Sequence, residues 1–224
     1  MPILLERTKT IIRQVVHTIE RNMEFLRDKI GGFLGTYPVY KGLVYTEEEE
    51  KLLEQTEEVV LDYFPQSPGE SLVTEDYESR CEAIEDFALQ LIEIYGFDDV
   101  EVVITDSSEK FPDGDGIFVY GYANLAERCV YINAGCLKSD DVMVLNHIAS
   151  TIIHELRHML QYRVATMEKT YGIPYERRYA WRVNMVNYIE AEYDLEGYIT
   201  QPIEFDARNF TNRVWQRIYG TNVK

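Results

Sequence analysis

The sequence predicts an α+β chain, in which a helical N-terminal region over residues 1–97 packs on a core of strands and helices over residues 98–224. Two observations predict it. Apolar residues recur at the helical period through roughly the first hundred positions, and from Val100 the texture changes to short β-branched runs before helical spacing returns after Ser139. A third sets the scale: 224 residues suffice for one sizeable core and are too few for several independent domains.

The first helix is expected where Ile12, Val15, Val16, Ile19, Met23, Leu26 and Ile30 share one face and Gly31-Gly32 stops it. A second starts at Thr46, which forms a capping-box pattern with Glu49 ahead of Leu52, Leu53, Val59, Val60 and Leu61. It ends near Phe64-Pro65. The stretch Pro65-Gln-Ser-Pro-Gly69 reads as a turn, and a third helix follows from about Thr74 to Tyr95, with Cys81, Ile84, Phe87, Ala88, Leu91 and Ile92 on its core face.

Val100 to Ile104 reads as a strand, and Phe111 to Gly116 as a turn-rich loop. Asp113 and Asp115 in that loop lack the spacing and the distant glutamate of a calcium-binding hand, so turn chemistry accounts for them. Ile117 to Tyr122 and Arg128 to Asn133, joined by Ala123 to Glu127, read as two further strands, which predicts a small antiparallel sheet. Ser139, followed by Asp140 and Asp141, is a suitable N-cap for a long helix reaching about Met167, with the stripe Leu145, Ile148, Ile152, Leu156 and Met159. A helical segment around Trp181 to Ile189 comes next. The last helix opens at Pro202, in a position that needs no backbone N–H, and closes at Gly220.

Composition narrows the functions available. Three cysteines without a CxxC spacing argue against a disulfide framework and against a cysteine metal site. The net charge of -17, from 22 basic and 39 acidic residues, repels nucleic acid and anionic membrane. Charged residues interrupt the apolar groups near the N-terminus, so no signal-peptide core is expected. No stretch reaches the roughly 20 apolar residues of a membrane span. The expected compartment is the cytoplasm.

The chemistry is concentrated in Thr151-Ile-Ile-His154-Glu155-Leu156-Arg157-His158. This is an H-E-x-x-H pattern on a predicted helix, the context in which that pattern binds zinc. Four residues are a little over one helical turn, so both imidazoles can reach one ion, while Glu155 sits about 100° round the helix, placed to act on a water as general base. Chance produces the pattern from this composition in roughly one such chain in a hundred. Apolar neighbours on more than one side also mark the helix as buried, and buried histidines need a partner.

A catalytic zinc takes three protein ligands and keeps a position open. Gln161 and Val164 stand where a metzincin would continue with glycine and a third histidine, so that class is excluded. Glu204, in the first turn of the last helix, is the best third ligand because the helix dipole keeps its carboxylate ionised. Glu190, Glu192 and Asp194 remain open as alternatives. His147 lies two turns before His154 and can line the same cleft.

The motif His154-Glu-Leu-Arg-His158, followed by Glu204-Phe-Asp-Ala207-Arg-Asn-Phe210, resembles the gluzincins, zinc peptidases with H-E-x-x-H and a downstream E-x-x-A-x-x-F helix. Within that group it is similar to the ImmA/IrrE-like and anthrax lethal-factor-like peptidases. Gly121-Tyr122 and Val130-Tyr-Ile-Asn133 are similar to the hairpin these families place upstream, so the resemblance covers about residues 98 to 220. It implies a zincin-like core of a small antiparallel sheet, an active-site helix and a C-terminal ligand helix. It further implies a metalloendopeptidase with Zn2+ on His154, His158 and Glu204, Glu155 as base, and Tyr198 supporting the transition state. The substrate would be a peptide or protein. One departure is Arg208, where thermolysin-type relatives carry an aspartate; Asp206 is the nearest substitute, although two residues along a helix is the wrong side. The competing expectations are a non-proteolytic zinc protein on the same scaffold, with a fourth protein ligand closing the site, and a helical scaffold with an incidental histidine pair.

Overall fold

Thr46 opens the helical part of the structure as its capping box requires. Its hydroxyl accepts the Glu49 N–H at 3.2 Å, and Glu49 Oε2 accepts the Thr46 N–H at 3.0 Å, starting α1 (Glu47–Tyr63). The computed structural model describes residues 43–111, 119–166, 169–190 and 193–220. The helix expected over Ile12 to Ile30, the Asp113–Asp115 pair, Met167 and Glu192 lie outside the described residues.

The expected turn at Pro65 to Gly69 gives way halfway to a short helix, α2 (Pro68–Leu72), capped by Ser67 and opened by proline at a position that needs no N–H. The reason is tertiary. Gly69 donates its N–H to Asn146 Oδ1 at 2.7 Å, and a Cβ there would lie 2.1 Å from the Val142 carbonyl oxygen. α3 (Tyr77–Tyr95) begins three residues later than expected because Asp76, accepting the Ser79 N–H at 2.8 Å, is the cap; Gly96, at φ 67°, ends it.

Three strands follow: β1 (Glu101–Thr105), β2 (Gly121–Asn124) and β3 (Cys129–Asn133), in the order β1-β3-β2. The expectation of an antiparallel sheet is corrected here: the sheet is mixed. β2 and β3 pair antiparallel because the tight turn at 125–128, with Arg128 at φ 52°, leaves no other choice. β1 pairs parallel to β3, with Val102 opposite Val130, because Thr105 ends level with Asn133 and Gly121 starts level with Ile132, so β2 runs back along the sheet and β3 repeats the direction of β1. Ala123 and Asn124, expected in the loop, extend β2 opposite Val130 and Cys129.

After α4 (Ala134–Leu137), the long helix α5 (Val142–Ala165) is capped by Asp141 rather than Ser139, with the Met143 N–H on Asp141 Oδ1 at 2.8 Å. α6 (Tyr175–Val186), α7 (Leu195–Thr200) and α8 (Pro202–Tyr219) complete the described chain, α8 opening on Pro202 and closing at Gly220 as expected. One apolar cluster, including Leu53 and Phe64 from α1 and its cap, Phe87 and Leu91 from α3, Ile132 from β3, Ile152 and Leu156 from α5 and Phe210 from α8, fills the interior. α5 runs through this interior. It packs against β2, β3, α2, α3, α6 and α8, which fixes the azimuth of the histidine-bearing turn. All three cysteines are free. Among the described residues no helix is long and apolar enough to cross a membrane.

Candidate metal centre

α5 presents His154 and His158 one turn apart on the side that faces the start of α8, their Nε2 atoms 3.0 Å from one another. Glu204 meets them from the first turn of α8. Its Oε2 lies 3.4 Å from His154 Nε2 and its Oε1 3.2 Å from His158 Nε2. A tetrahedral ion with ligands at about 2.0–2.1 Å has ligand-to-ligand edges of about 3.3 Å, so the triangle has the size a zinc ion requires. Glu204 Oε2 is buried and makes no hydrogen bond among the described residues, an arrangement a carboxylate tolerates when a cation completes it. The donor set of two imidazoles and one carboxylate is chemically suited to zinc.

The electrostatics point the same way. Burial opposes ionisation of Glu204, yet the neighbouring imidazoles hold its carboxyl well below the usual carboxylate range. Burial likewise opposes charge on His158, and the Glu204 carboxylate outweighs it, raising the imidazole to about 9. A pocket that holds a proton so firmly favours any cation at that place.

The remaining predicted residues are positioned as follows. Glu155 points to the sheet, where its Oε2 accepts the backbone N–H of Ala123 on the edge strand β2 at 2.9 Å. Tyr198, on α7, is brought near Glu204: burial and then the Glu204 charge push its hydroxyl far above the usual phenol value. The Arg208 guanidinium lies 5.3 Å over the Tyr198 ring and donates to the Tyr198 and Ile199 carbonyls, so it anchors α7 instead of touching a histidine. His147 stands apart from the ligand triangle, stacked on Tyr120 with ring centroids 4.7 Å apart. Asp194, an alternative third ligand, caps α7 through the Gly197 N–H.

Four functional positions escaped sequence reasoning. Tyr188 donates its hydroxyl to Glu204 Oε1 at 2.8 Å, and its ring meets Tyr198 edge-on at 6.1 Å. Nothing in spacing distinguishes it among 17 tyrosines. Asn184 and Gln201 lock the end of α6 to the start of α8: Asn184 Oδ1 takes the Ile203 N–H and its Nδ2 bonds Gln201 Oε1 at 2.9 Å, which holds the turn bearing Glu204. Gln161, read only as the residue that excludes a metzincin, accepts from His158 Nδ1 at 2.8 Å.

Behind this layer lies a buried ion cluster. Arg157 is fully buried, donating from Nε to Asp206 Oδ2 at 2.7 Å, from Nη2 to Asp206 Oδ1 at 3.0 Å and from Nη2 to Glu49 Oε1 at 2.5 Å. Arg177 adds a second guanidinium to Glu49. Asp206 therefore faces the centre after all, through Gln161, whose Nε2 donates to Asp206 Oδ2 at 2.9 Å.

Comparison with protein-family models, with curated proteins and with solved structures finds no match to the chain.

Proposed function

We propose that the protein is a zinc-dependent metalloendopeptidase of the gluzincin type, with a zincin-like core formed by the sheet, α5 and α8. The observation that carries this reading is the convergence of His154, His158 and Glu204, from two helices 46 residues apart in sequence, on a triangle of zinc dimensions. The reading is further supported by the Glu155 carboxylate beside it, directed at an edge strand.

His154, His158 and Glu204 would hold the ion. When bound, zinc supplies Lewis acidity, which brings water to a nucleophilic state near neutral pH and polarises a carbonyl. Glu155 takes the proton of the attacking water and delivers it to the leaving amine. β2 is an edge strand, and with the outward Ala123 N–H taken by Glu155 an extended peptide can add by main-chain pairing at the neighbouring positions of this edge. Tyr188 commits its proton to Glu204 Oε1, and Tyr198 holds a second hydroxyl nearby, where it can donate to an oxygen that gains charge in the reaction. The acidic surface favours basic partners and disfavours nucleic acid as substrate.

The test is zinc content after purification without added metal, for the wild type and for His154→Ala and Glu204→Ala, followed by hydrolysis of a mixed peptide library. About one zinc per chain, absent from both variants, with cleavage by the wild type alone, is the expected result. A wild type that takes up no zinc at neutral pH sinks the reading.

A further inference from the structure

We infer that Gln161 is a positioning residue for His158, and that one turn of α8 both supplies the third ligand and sets the hydrogen-bonding sense of the second. The inference rests on the metal reading above and adds to it a residue that neither the H-E-x-x-H pattern nor the ligand helix contains.

The Ile203 carbonyl has no proton to give, so the Gln161 atom 2.9 Å from it must be the amide nitrogen. The same nitrogen meets Asp206 Oδ2 at 2.9 Å, and that carboxylate also takes Arg157 Nε at 2.7 Å, so it too acts as an acceptor. With both amide protons of Gln161 committed, its Oε1 is the atom that faces His158 Nδ1 at 2.8 Å. A carbonyl oxygen only accepts. His158 must therefore carry its proton on Nδ1, which leaves the Nε2 lone pair, 3.2 Å from Glu204 Oε1, for an ion.

The links come from two helices, His158, Gln161 and Arg157 from α5 and Ile203 and Asp206 from α8. Gln161 and Asp206 are both almost completely enclosed, Ile203 immediately precedes the ligand Glu204, and Arg157 is held in turn by Glu49 from α1. An unconstrained imidazole would divide itself between two tautomers and rotate about its side-chain bonds. The chain Ile203 and Asp206 to Gln161 to His158 selects one tautomer and one ring orientation before any ion arrives.

The test compares wild type with Gln161→Leu and with Gln161→Met, which keeps the unbranched shape if leucine prevents folding. Zinc affinity is read by competition with a chromogenic chelator, and unfolding of the zinc-free proteins is recorded alongside. The expected outcome is zinc binding weaker by about 10- to 100-fold in the variants, beyond any change in zinc-free stability. Nitrogen-15 NMR of the zinc-loaded wild type should show the His158 proton on Nδ1. Variants that bind zinc as tightly as wild type overturn the inference, as does a His158 protonated on Nε2 instead. A wild type that takes no zinc sinks the metal reading; the protonated nitrogen of neutral His158 then decides the hydrogen-bonding sense, Nδ1 upholding it and Nε2 overturning it.

Discussion

The backbone N–H of Ala123 donates to the Glu155 carboxylate at 2.9 Å, joining the edge of the sheet to the helix that carries both histidines. The bond aims Glu155 without using its capacity to take a proton, since one oxygen accepts from Ala123 and the other is left for chemistry.

Glu155→Gln should preserve this bond, because the amide oxygen still accepts from Ala123, while removing the base. We expect turnover to fall by about 10²- to 10⁴-fold with zinc content and thermal midpoint unchanged. Peptide hydrolysis measured beside metal analysis checks it; a variant that keeps wild-type turnover would show that another group moves the proton.

Tyr188 and Tyr198 both lie at Glu204 and differ in how closely they hold it. Tyr188 donates directly to Glu204 Oε1, so Tyr188→Phe removes a charge-assisted hydrogen bond from a metal ligand, worth about 1.5–3 kcal/mol. It should weaken zinc binding about tenfold or more. Tyr198→Phe should leave zinc affinity close to wild type and lower kcat with little change in KM. Chelator competition and steady-state kinetics on the two variants distinguish these roles, and equal effects on zinc would refute the division.

Arg157 presents a stability prediction in the metal-free protein. It is enclosed with the carboxylates of Asp206 and Glu49 and lies 4.8 Å from the centre of the Phe210 ring. Arg157→Met removes the cation, leaves the buried Asp206 carboxylate without its guanidinium and leaves Glu49 to Arg177 alone. We expect a loss of about 3–5 kcal/mol, measured by urea unfolding of the zinc-free protein. A loss below about 1 kcal/mol would mean the acids relax by taking up protons or water.

These residues show where legibility ends. The capping box at Thr46 and Glu49, the proline and glycine that bound α8, and the histidine pair are local patterns, spanning one turn or marking one end, and they were readable as such. Glu204 was readable because its helix start is marked by proline. The parallel pairing of β1 with β3 was not, because no short-range feature records which edge a distant strand will join. Gly69 looked like turn chemistry, and its actual constraint is a carbonyl on another helix. Asp206 looked misplaced because its side of the helix excludes direct contact with a histidine; Gln161 supplies the missing reach from α5. The same Glu49 that completes a local cap also holds Arg157 from 108 positions away, a second use that spacing does not disclose.

His147 gives the pH dependence. Stacked on Tyr120 beneath the sheet side of α5, it is depressed by burial from an ordinary value near 6.5 to about 4. In the unfolded chain it takes a proton below about 6.5, whereas the folded protein resists doing so until about 4. Above pH 6.5 both states are neutral and His147 costs nothing. As pH falls through this window the unfolded state binds the extra proton, so stability declines, and below about 4 the penalty is complete at roughly 3–3.5 kcal/mol. His147→Phe keeps a ring against Tyr120 and cannot be charged. Its stability, measured by urea unfolding from pH 7 to pH 4, should fall less steeply than that of the wild type, the difference between the two curves opening only below about pH 6.5. Curves that run parallel across the window would show that His147 charges as readily in the folded protein as in the unfolded chain.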